Sequence, residues 1–90
     1  YKVGSKECTQ GAIFINPQSW SVISGAASKE LGEKAMESLN KRLYTDYGIM
    51  KADPPFIKED YNIFAAVLFN EGQKENCGIF SHTQGWAVMA

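Results

Sequence analysis

The sequence predicts a mainly α-helical chain with the two kinds of helix found in helical barrels or solenoids, and three observations support this. The segment after Asn16-Pro17 has the composition of a helix that is buried on most sides. A second segment, from residue 29 to about residue 45, carries its apolar residues along one side. A tryptophan-containing motif occurs twice, with an offset of 66 residues between Trp20 and Trp86, as in proteins built from repeated units.

The first helix is expected to follow a short apolar strand-like run, residues 11–15, and to extend from Pro17 to about Ala27. Asn16 is a favourable N-cap, and proline suits the first helical position because an N–H there would have no partner. Apolar residues are distributed around this helix rather than along one stripe, which predicts burial on most sides. These residues are Trp20, Val22, Ile23, Ala26 and Ala27.

The second helix is expected to run from Lys29 to about Thr45, with Ser28 as its N-cap. Its apolar residues recur at steps of three and four and form one stripe. The stripe consists of Leu31, Ala35, Met36, Leu39 and Leu43. A mostly buried helix followed by a one-sided helix is the pattern of an inner and an outer helix of a helical barrel or solenoid.

The segment from residue 46 to residue 81 is predicted to be irregular. It contains repeated glycine, proline and asparagine turn signals, and only Ile63–Phe69 is strand-like. Long segments of this kind are usually functional or pack against another part of the protein. We interpret Asp53-Pro54-Pro55-Phe56 as a rigid turn and the adjacent carboxylates Glu59 and Asp60 as surface residues.

The tryptophan motif of the first helix returns at the end of the chain. Residues 13–22 align without gaps on residues 79–88, and their Ile, Phe, Gln, Trp and Val positions are identical. Each copy consists of an apolar run, a polar elbow and a helix, so Trp20 and Trp86 are predicted to occupy equivalent helical positions. Tryptophan also stacks on sugars, but its repetition favours a packing role.

Composition excludes several classes of protein. The 90 residues are 44% hydrophobic and 21% charged, which indicates one small globular domain at most rather than a disordered chain. A formal charge of −1 offers no basic surface to nucleic acid or an anionic membrane. No segment has the pattern of a transmembrane helix or a signal peptide, so we expect a cytoplasmic protein without nucleic-acid or membrane partners.

Cysteine usage and the chain ends complete this picture. Cys8 and Cys77 lie far apart with no metal-ligand spacing, so we expect two reduced thiols and no metal site, with a single disulfide as the alternative. Both ends are expected to be internal to a larger protein, because Tyr1 is not an initiator methionine and no stop signal follows the apolar residues 86–90.

Two groups of polar residues are candidate binding residues. Lys74-Glu75-Asn76 lies between Gly72 and Gly78, which allow a close backbone approach to a ligand, and its cation, carboxylate and amide suit adjacent sugar hydroxyls. The alternative is a solvent-exposed loop with a charge pair. His82, the single histidine, falls near the start of the terminal helix, where free N–H groups favour an anion. The alternative is a capping or surface histidine.

Four successive stretches resemble motifs of glycoside hydrolase family 94, formerly glycosyltransferase family 36. That family contains cellobiose and chitobiose phosphorylases and the phosphorylase-like part of cyclic β-1,2-glucan synthase. The resemblance covers about residues 11–90 in the family's order, and residues 66–70 and 81–88 look closest to the chitobiose phosphorylase branch. The four stretches are Ile13–Trp20, Arg42–Gly48, Asp53–Phe56 and Lys74–His82.

The resemblance implies an (α/α)6 barrel with inner and outer helices and long irregular loops, in which residues 1–90 form a single partial domain late in the catalytic domain. It implies a homodimeric parent enzyme that uses inorganic phosphate as co-substrate and no cofactor. Phosphate would cleave a β-linked disaccharide with inversion, giving an α-sugar 1-phosphate and a free sugar. The family's general acid, an aspartate upstream of this segment, has no counterpart here, so the 90 residues alone are expected to be inactive.

Residue by residue, the resemblance implies that His82 binds phosphate and that Lys74 and Glu75 line the site of the leaving sugar. The family usually has glycine at the position of Cys77 and a Pro-Gly-containing sequence where this chain has residues 70–73, so the turn that presents Glu75 is expected to differ. Two alternatives stay open, a non-catalytic helical carbohydrate-binding or interaction module and part of a cyclic glucan synthase.

Overall fold

The computed structural model describes residues 3–58 and 68–90. Helices are the main elements of these residues, as predicted, and the strands are only two residues long. The elements in chain order are β1 (Ile13–Phe14), α1 (Ile15–Ile23), α2 (Lys29–Arg42), β2 (Tyr44–Thr45), β3 (Gly48–Ile49), β4 (Ala52–Asp53) and α3 (Ser81–Met89). The carboxylate pair Glu59-Asp60 and most of the strand-like run Ile63–Phe69 lie outside the described residues. None of these three helices combines the length and apolar character that a membrane span needs.

Helix α1 begins two residues earlier than predicted. Phe14 occupies the N-cap position with extended backbone and no side-chain cap, so the prediction of Asn16 as the N-cap is wrong. The Ile15 N–H donates instead to the Lys51 carbonyl at 2.9 Å. Because strand-like pairing already satisfies the first helical N–H, the helix needs no side-chain cap at this end.

Helix α1 is also shorter and less buried than predicted. It ends at Ile23 rather than near Ala27. Ile15 and Ser19 are its buried residues, whereas Trp20 is 44% exposed. In the described chain α1 packs against α2 and α3, which cover only part of its circumference.

Helix α2 follows the prediction at its start. The Ser28 Oγ accepts a hydrogen bond from the Leu31 N–H at 3.3 Å, which confirms Ser28 as the N-cap. The predicted stripe is buried at its C-terminal end, at Leu39 and Leu43, while Leu31 is 59% exposed. The amphipathic pattern therefore identified the correct face but not how far along the helix that face is covered.

Helix α2 ends at Arg42 rather than near Thr45 because a hairpin begins there. β2 pairs antiparallel with β3, and the Thr45 Oγ1 donates to the Gly48 carbonyl at 2.7 Å. The Arg42 guanidinium also binds the Asp53 carboxylate at 2.7 Å, which connects the end of α2 to β4.

Residues 48–58, which begin with strand β3 of this hairpin, contact both the first and the last part of the chain. We call residues 48–58 the central segment. On one side β4 pairs antiparallel with β1. On the other side the Lys51 N–H donates to the Gly78 carbonyl at 2.8 Å. The hydrophobic core includes one residue of the central segment and is formed by Ile13, Ile15, Leu39, Leu43 and Ile49.

The predicted repeat is confirmed and is longer than the sequence match. We call residues 10–24 the first copy and residues 76–90 the second copy. Helices α1 and α3 both have nine residues, and the phenylalanine before each helix is extended, with φ −127° and −109°. Further upstream, Gly11 and Cys77 both have left-handed backbone, with φ 57° and 68°, and each follows a buried amide side chain, Gln10 or Asn76. The two copies thus enter the fold with the same local geometry.

Candidate functional site

The loop that carries Lys74 and Glu75 is held by the buried side chain of Asn76. The Asn76 Oδ1 accepts a hydrogen bond from the Phe56 N–H at 2.7 Å, and its Nδ2 donates to the Phe56 and Phe69 carbonyls at 2.8 and 2.9 Å. The side chain is fully buried. Both amide atoms of Asn76 are therefore occupied and cannot bind a sugar hydroxyl. The expectation that Asn76 is a sugar ligand beside Lys74 and Glu75 is wrong, and its role is to hold the loop.

Lys74 and Glu75 are both exposed. Lys74 has a left-handed backbone, with φ 45°, and its Nζ lies 5.1 Å from the centroid of the Phe69 ring. Gly78 makes this conformation possible, because a Cβ at Gly78 would lie 2.6 Å from the Lys74 carbonyl oxygen and 2.7 Å from its nitrogen. The loop thus presents two charged side chains from a closely packed backbone.

Cys77 occupies a position where the backbone conformation favours glycine. Its φ of 68° lies in the left-handed region, which costs an ordinary side chain about 1–2 kcal/mol. Burial raises the pKa of the Cys77 thiol to about 11, and the carboxylates Asp53 and Glu71 add to this shift. Cys77 and Cys8 are both free thiols, and Cys77 is protonated at neutral pH.

His82 is the second residue of α3 and is exposed. The predicted location near a helix start is confirmed. The first turn of α3 contains no acidic residue, and residues 3–58 and 68–90 supply no acceptor for the N–H groups of Ser81, His82 and Thr83. This helix end has the free donors and the positive dipole end that attract an anion.

An aromatic row connects His82 to the first copy. The His82 ring meets the Trp86 ring edge-on at 5.2 Å, and Trp86 meets Trp20 edge-on at 5.5 Å. These contacts hold the imidazole against Trp86 on the side of α3, and His82 remains exposed. The two tryptophans lie on their helices as predicted and pack against each other, although Trp20 is less buried than a core residue.

Gln84 attaches the start of α3 to the central segment. Its Oε1 accepts from the Ile49 N–H at 2.7 Å, and its Nε2 donates to the Ile49 carbonyl at 2.8 Å. The two parts of the candidate site are therefore connected to the same central segment. Asn76 connects the loop of Lys74 and Glu75 to Phe56, and Gln84 connects α3 to Ile49. Sequence reasoning missed Gln84, although its identity with Gln18 in the repeat was a visible signal.

Other parts of the surface are separate from this site. An open groove of about 420 Å³ lies between the end of α1 and α2 and is lined by Val22, Gly32 and Met36 among others. Lys74, Glu75 and His82 do not line this groove. Within the described residues no three His, Cys, Asp or Glu side chains form a group that could hold a metal ion.

Comparison with known proteins decides the family. The profile of the Glycosyl hydrolase 94 superfamily, catalytic domain, matches residues 1–90. The chain belongs to this family. The motifs that suggested the resemblance, from Ile13 to His82, all fall inside the match.

Relatives of this glycosyl hydrolase 94 chain include several phosphorylases. The chain is 38% identical over 79 residues to a cellobionic acid phosphorylase of Neurospora crassa, covering 88% of this chain and 10% of the relative. N,N'-diacetylchitobiose phosphorylases of Vibrio furnissii and Vibrio proteolyticus are 35% and 34% identical over 89 residues, covering 99% of this chain and 11% of each relative. The chain thus spans about a tenth of the length of these curated relatives.

Proposed function

We propose that this chain is part of the catalytic domain of an inverting disaccharide phosphorylase. The observation that carries the proposal is the family match over the whole chain together with relatives that are named as phosphorylases. In the proposed reaction, inorganic phosphate attacks the anomeric carbon of a β-linked disaccharide and gives an α-sugar 1-phosphate and a free sugar. Phosphate is a co-substrate, and the reaction needs no cofactor.

His82 is the proposed phosphate ligand. Phosphate carries negative charge into the reaction, and the amino end of α3 combines an exposed imidazole with free N–H groups and no nearby acidic residue of its own turn. Hydrogen bonds from these donors can hold the phosphate oxygens and strengthen as charge moves in the transition state. This chemistry supports a phosphate role for His82 over a merely capping role.

Lys74 and Glu75 are the proposed ligands of the leaving sugar. A sugar presents neighbouring hydroxyl groups that both donate and accept hydrogen bonds. An exposed ammonium donates to such groups and an exposed carboxylate accepts from them, and both side chains project from one tightly held loop. The general acid has no proposed counterpart in these 90 residues, so the segment alone is expected to be inactive.

The proposed architecture is a late part of an (α/α)6 barrel in a homodimeric enzyme. The sequence pattern, with apolar residues on most sides of α1 and along one side of α2, supports an inner and an outer helix. The partial coverage of α1, with Trp20 44% exposed, supports the view that further helices of the whole protein complete its surroundings.

The test is phosphorolysis by the full-length protein that contains this segment. Candidate substrates are N,N'-diacetylchitobiose and cellobionic acid, incubated with and without inorganic phosphate. The expected result is phosphate-dependent release of a sugar 1-phosphate, shown to be the α anomer by NMR of its anomeric proton. Disaccharide binding without phosphate-dependent cleavage would contradict the proposal and favour a carbohydrate-binding module. Cleavage that proceeds equally well without phosphate would also contradict it.

A further inference from the structure

Two side-chain amides connect the candidate binding residues to the central segment. Gln84 and the Ile49 backbone exchange two hydrogen bonds, at 2.7 and 2.8 Å, and a third bond from Gln84 reaches the Phe80 carbonyl at 3.1 Å. Asn76 and the Phe56 backbone also exchange two hydrogen bonds, at 2.7 and 2.8 Å. Each amide thus pairs with one residue of the central segment in the way that a neighbouring strand would.

Gln84 fixes the rotation of α3 about its own axis. Two residues on an α-helix are separated by about 200° around the axis, so Gln84 and His82 lie on nearly opposite sides of α3. When Gln84 is bound to Ile49, His82 is turned away from the central segment and toward solvent, where it is exposed. Loss of this pairing would let the first turn of α3 rotate and move the imidazole.

Asn76 fixes the loop that presents Lys74 and Glu75. Its backbone also takes part, because the Asn76 N–H donates to the Gln73 carbonyl at 2.9 Å and its carbonyl accepts from the Gly72 N–H at 2.8 Å. The side chain anchors this small turn to the backbone of Phe56 and Phe69. Its removal would leave three backbone groups without partners, the buried N–H and carbonyl of Phe56 and the part-buried carbonyl of Phe69, and free the loop to move.

We propose that Gln84 and Asn76 are separate positioning residues, Gln84 for the phosphate ligand His82 and Asn76 for the sugar ligands Lys74 and Glu75. The inference rests on the proposed function, because it assigns each amide to one half of that site. Neither amide touches substrate, so each acts only through the residues that it orients. Misplacement of a binding group by about 1 Å can reduce activity up to about 100-fold, so each loss is large enough to measure.

The experiment measures the KM for phosphate and the KM for disaccharide separately in the full-length protein. Gln84→Met and Asn76→Leu keep side-chain size and remove the hydrogen bonds. We expect Gln84→Met to raise the phosphate KM about 10- to 100-fold with little change in the disaccharide KM, and Asn76→Leu to do the reverse. If either of these variants does not fold, the milder Gln84→Asn and Asn76→Gln variants, which keep an amide, are used, with smaller shifts in the same KM.

The repeat supplies matched controls. Gln18 and Gln10 occupy the positions equivalent to Gln84 and Asn76 in the first copy. Gln10 also binds the central segment, through the N–H groups of Ile57 and Lys58 at 2.6 and 2.7 Å. Gln18→Met and Gln10→Met are therefore expected to leave both KM values unchanged, even though Gln10→Met lowers thermal stability.

Several outcomes overturn the proposal. If Gln84→Met and Asn76→Leu lower the melting temperature but leave both KM values near wild type, or raise both equally, the amides are only structural. His82→Ala and Glu75→Gln are measured beside them. If these direct variants shift the expected KM values and the amide variants do not, the positioning inference fails while the site assignment holds. If His82→Ala and Glu75→Gln shift neither KM, the site assignment and the positioning inference are both wrong.

Discussion

The two copies of the repeat have the same backbone but offer different chemistry at the start of their helices. In the first copy the Ile15 N–H is bound to the Lys51 carbonyl, and Pro17 has no N–H. In the second copy the equivalent residues are Ser81 and Thr83, whose N–H groups have no acceptor within residues 3–58 and 68–90. The amino end of α1 is therefore used by the fold, whereas that of α3 keeps N–H groups that are unpaired within these residues, and Ser81 and His82 are exposed there while Thr83 is buried.

The residue at the second helical position differs in the same sense. Asn16 in the first copy has a buried Oδ1, whereas His82 in the second copy is exposed. The same scaffold thus buries a side-chain oxygen in one copy and presents an exposed imidazole in the other. The repeat explains where the site lies, and the departures from the repeat indicate what it binds.

The largest expected effect comes from removing this donor in one copy only. In the full-length protein, His82→Ala should remove about 2–4 kcal/mol of transition-state stabilisation, the usual loss for one preorganised donor. The effect should appear mainly in the phosphate dependence, with less change for the disaccharide. Steady-state kinetics with each substrate varied separately measures this. The matched variant Asn16→Ala should leave both dependences unchanged, and an equal loss in the two variants would contradict the comparison.

A second difference lies at the left-handed residue that precedes each helix. Gly11 is packed against the Phe56 ring so closely that a Cβ would overlap the ring carbon Cζ. Gly11→Ala should therefore destabilise the protein by about 1–3 kcal/mol, because the ring must shift and the positive φ disfavours alanine. A lowered midpoint in thermal unfolding of the full-length protein checks this. An unchanged midpoint would show that Phe56 moves without cost.

Much of this geometry could be predicted from sequence, and the reasons for the failures are local. Helix α2 and its Ser28 cap follow from signals within a few residues, and the repeat placed Trp20 and Trp86 correctly. The start of α1 was wrong because its first N–H bonds to Lys51, a residue 36 positions away. The same distance effect hid the role of Gln84, whose partner Ile49 is 35 positions away.

In the candidate site, too, local signals were predictable and long-range contacts were not. His82 could be located at a helix start from the repeat alone. Asn76 was expected beside Lys74 and Glu75 as a ligand because the three are neighbours in sequence. Its side chain instead satisfies the backbone of Phe56, 20 positions earlier. Such long-range pairing of a side chain with backbone leaves no periodic signal, and a single sequence cannot distinguish it from exposure.

The contact between the two copies should give a smaller effect. Trp20 and Trp86 meet edge-on with ring centroids 5.5 Å apart, a geometry worth about 0.5–1.5 kcal/mol beyond its buried area. In a double-mutant cycle with leucine at each position, the shifts in thermal midpoint of the single variants should add up to more than the shift of the double variant. Strict additivity would mean that the two rings pack independently and that the copies are not coupled here.

The smallest effect is expected when the second copy is made to match the first at its left-handed residue. Cys77→Gly should relieve about 1–2 kcal/mol of left-handed strain. Two losses oppose this gain, the burial of one small side chain and the greater freedom of glycine in the unfolded chain, together of similar size. The midpoint at neutral pH should therefore change by the equivalent of less than about 1 kcal/mol, in contrast to Gly11→Ala.

The pH dependence of Cys77→Gly provides the sharper measurement. Burial raises the pKa of the folded Cys77 thiol from 9.0 to about 11. As pH rises, the unfolded thiol loses its proton first, which favours unfolding, so the contribution that is complete below pH 9 is lost between pH 9 and about 11. Thermal unfolding across this range should show a steeper loss of stability for the wild type than for Cys77→Gly. Parallel curves for the two proteins would mean that the Cys77 thiol is solvated, and that the second copy is open at this position as well as at His82.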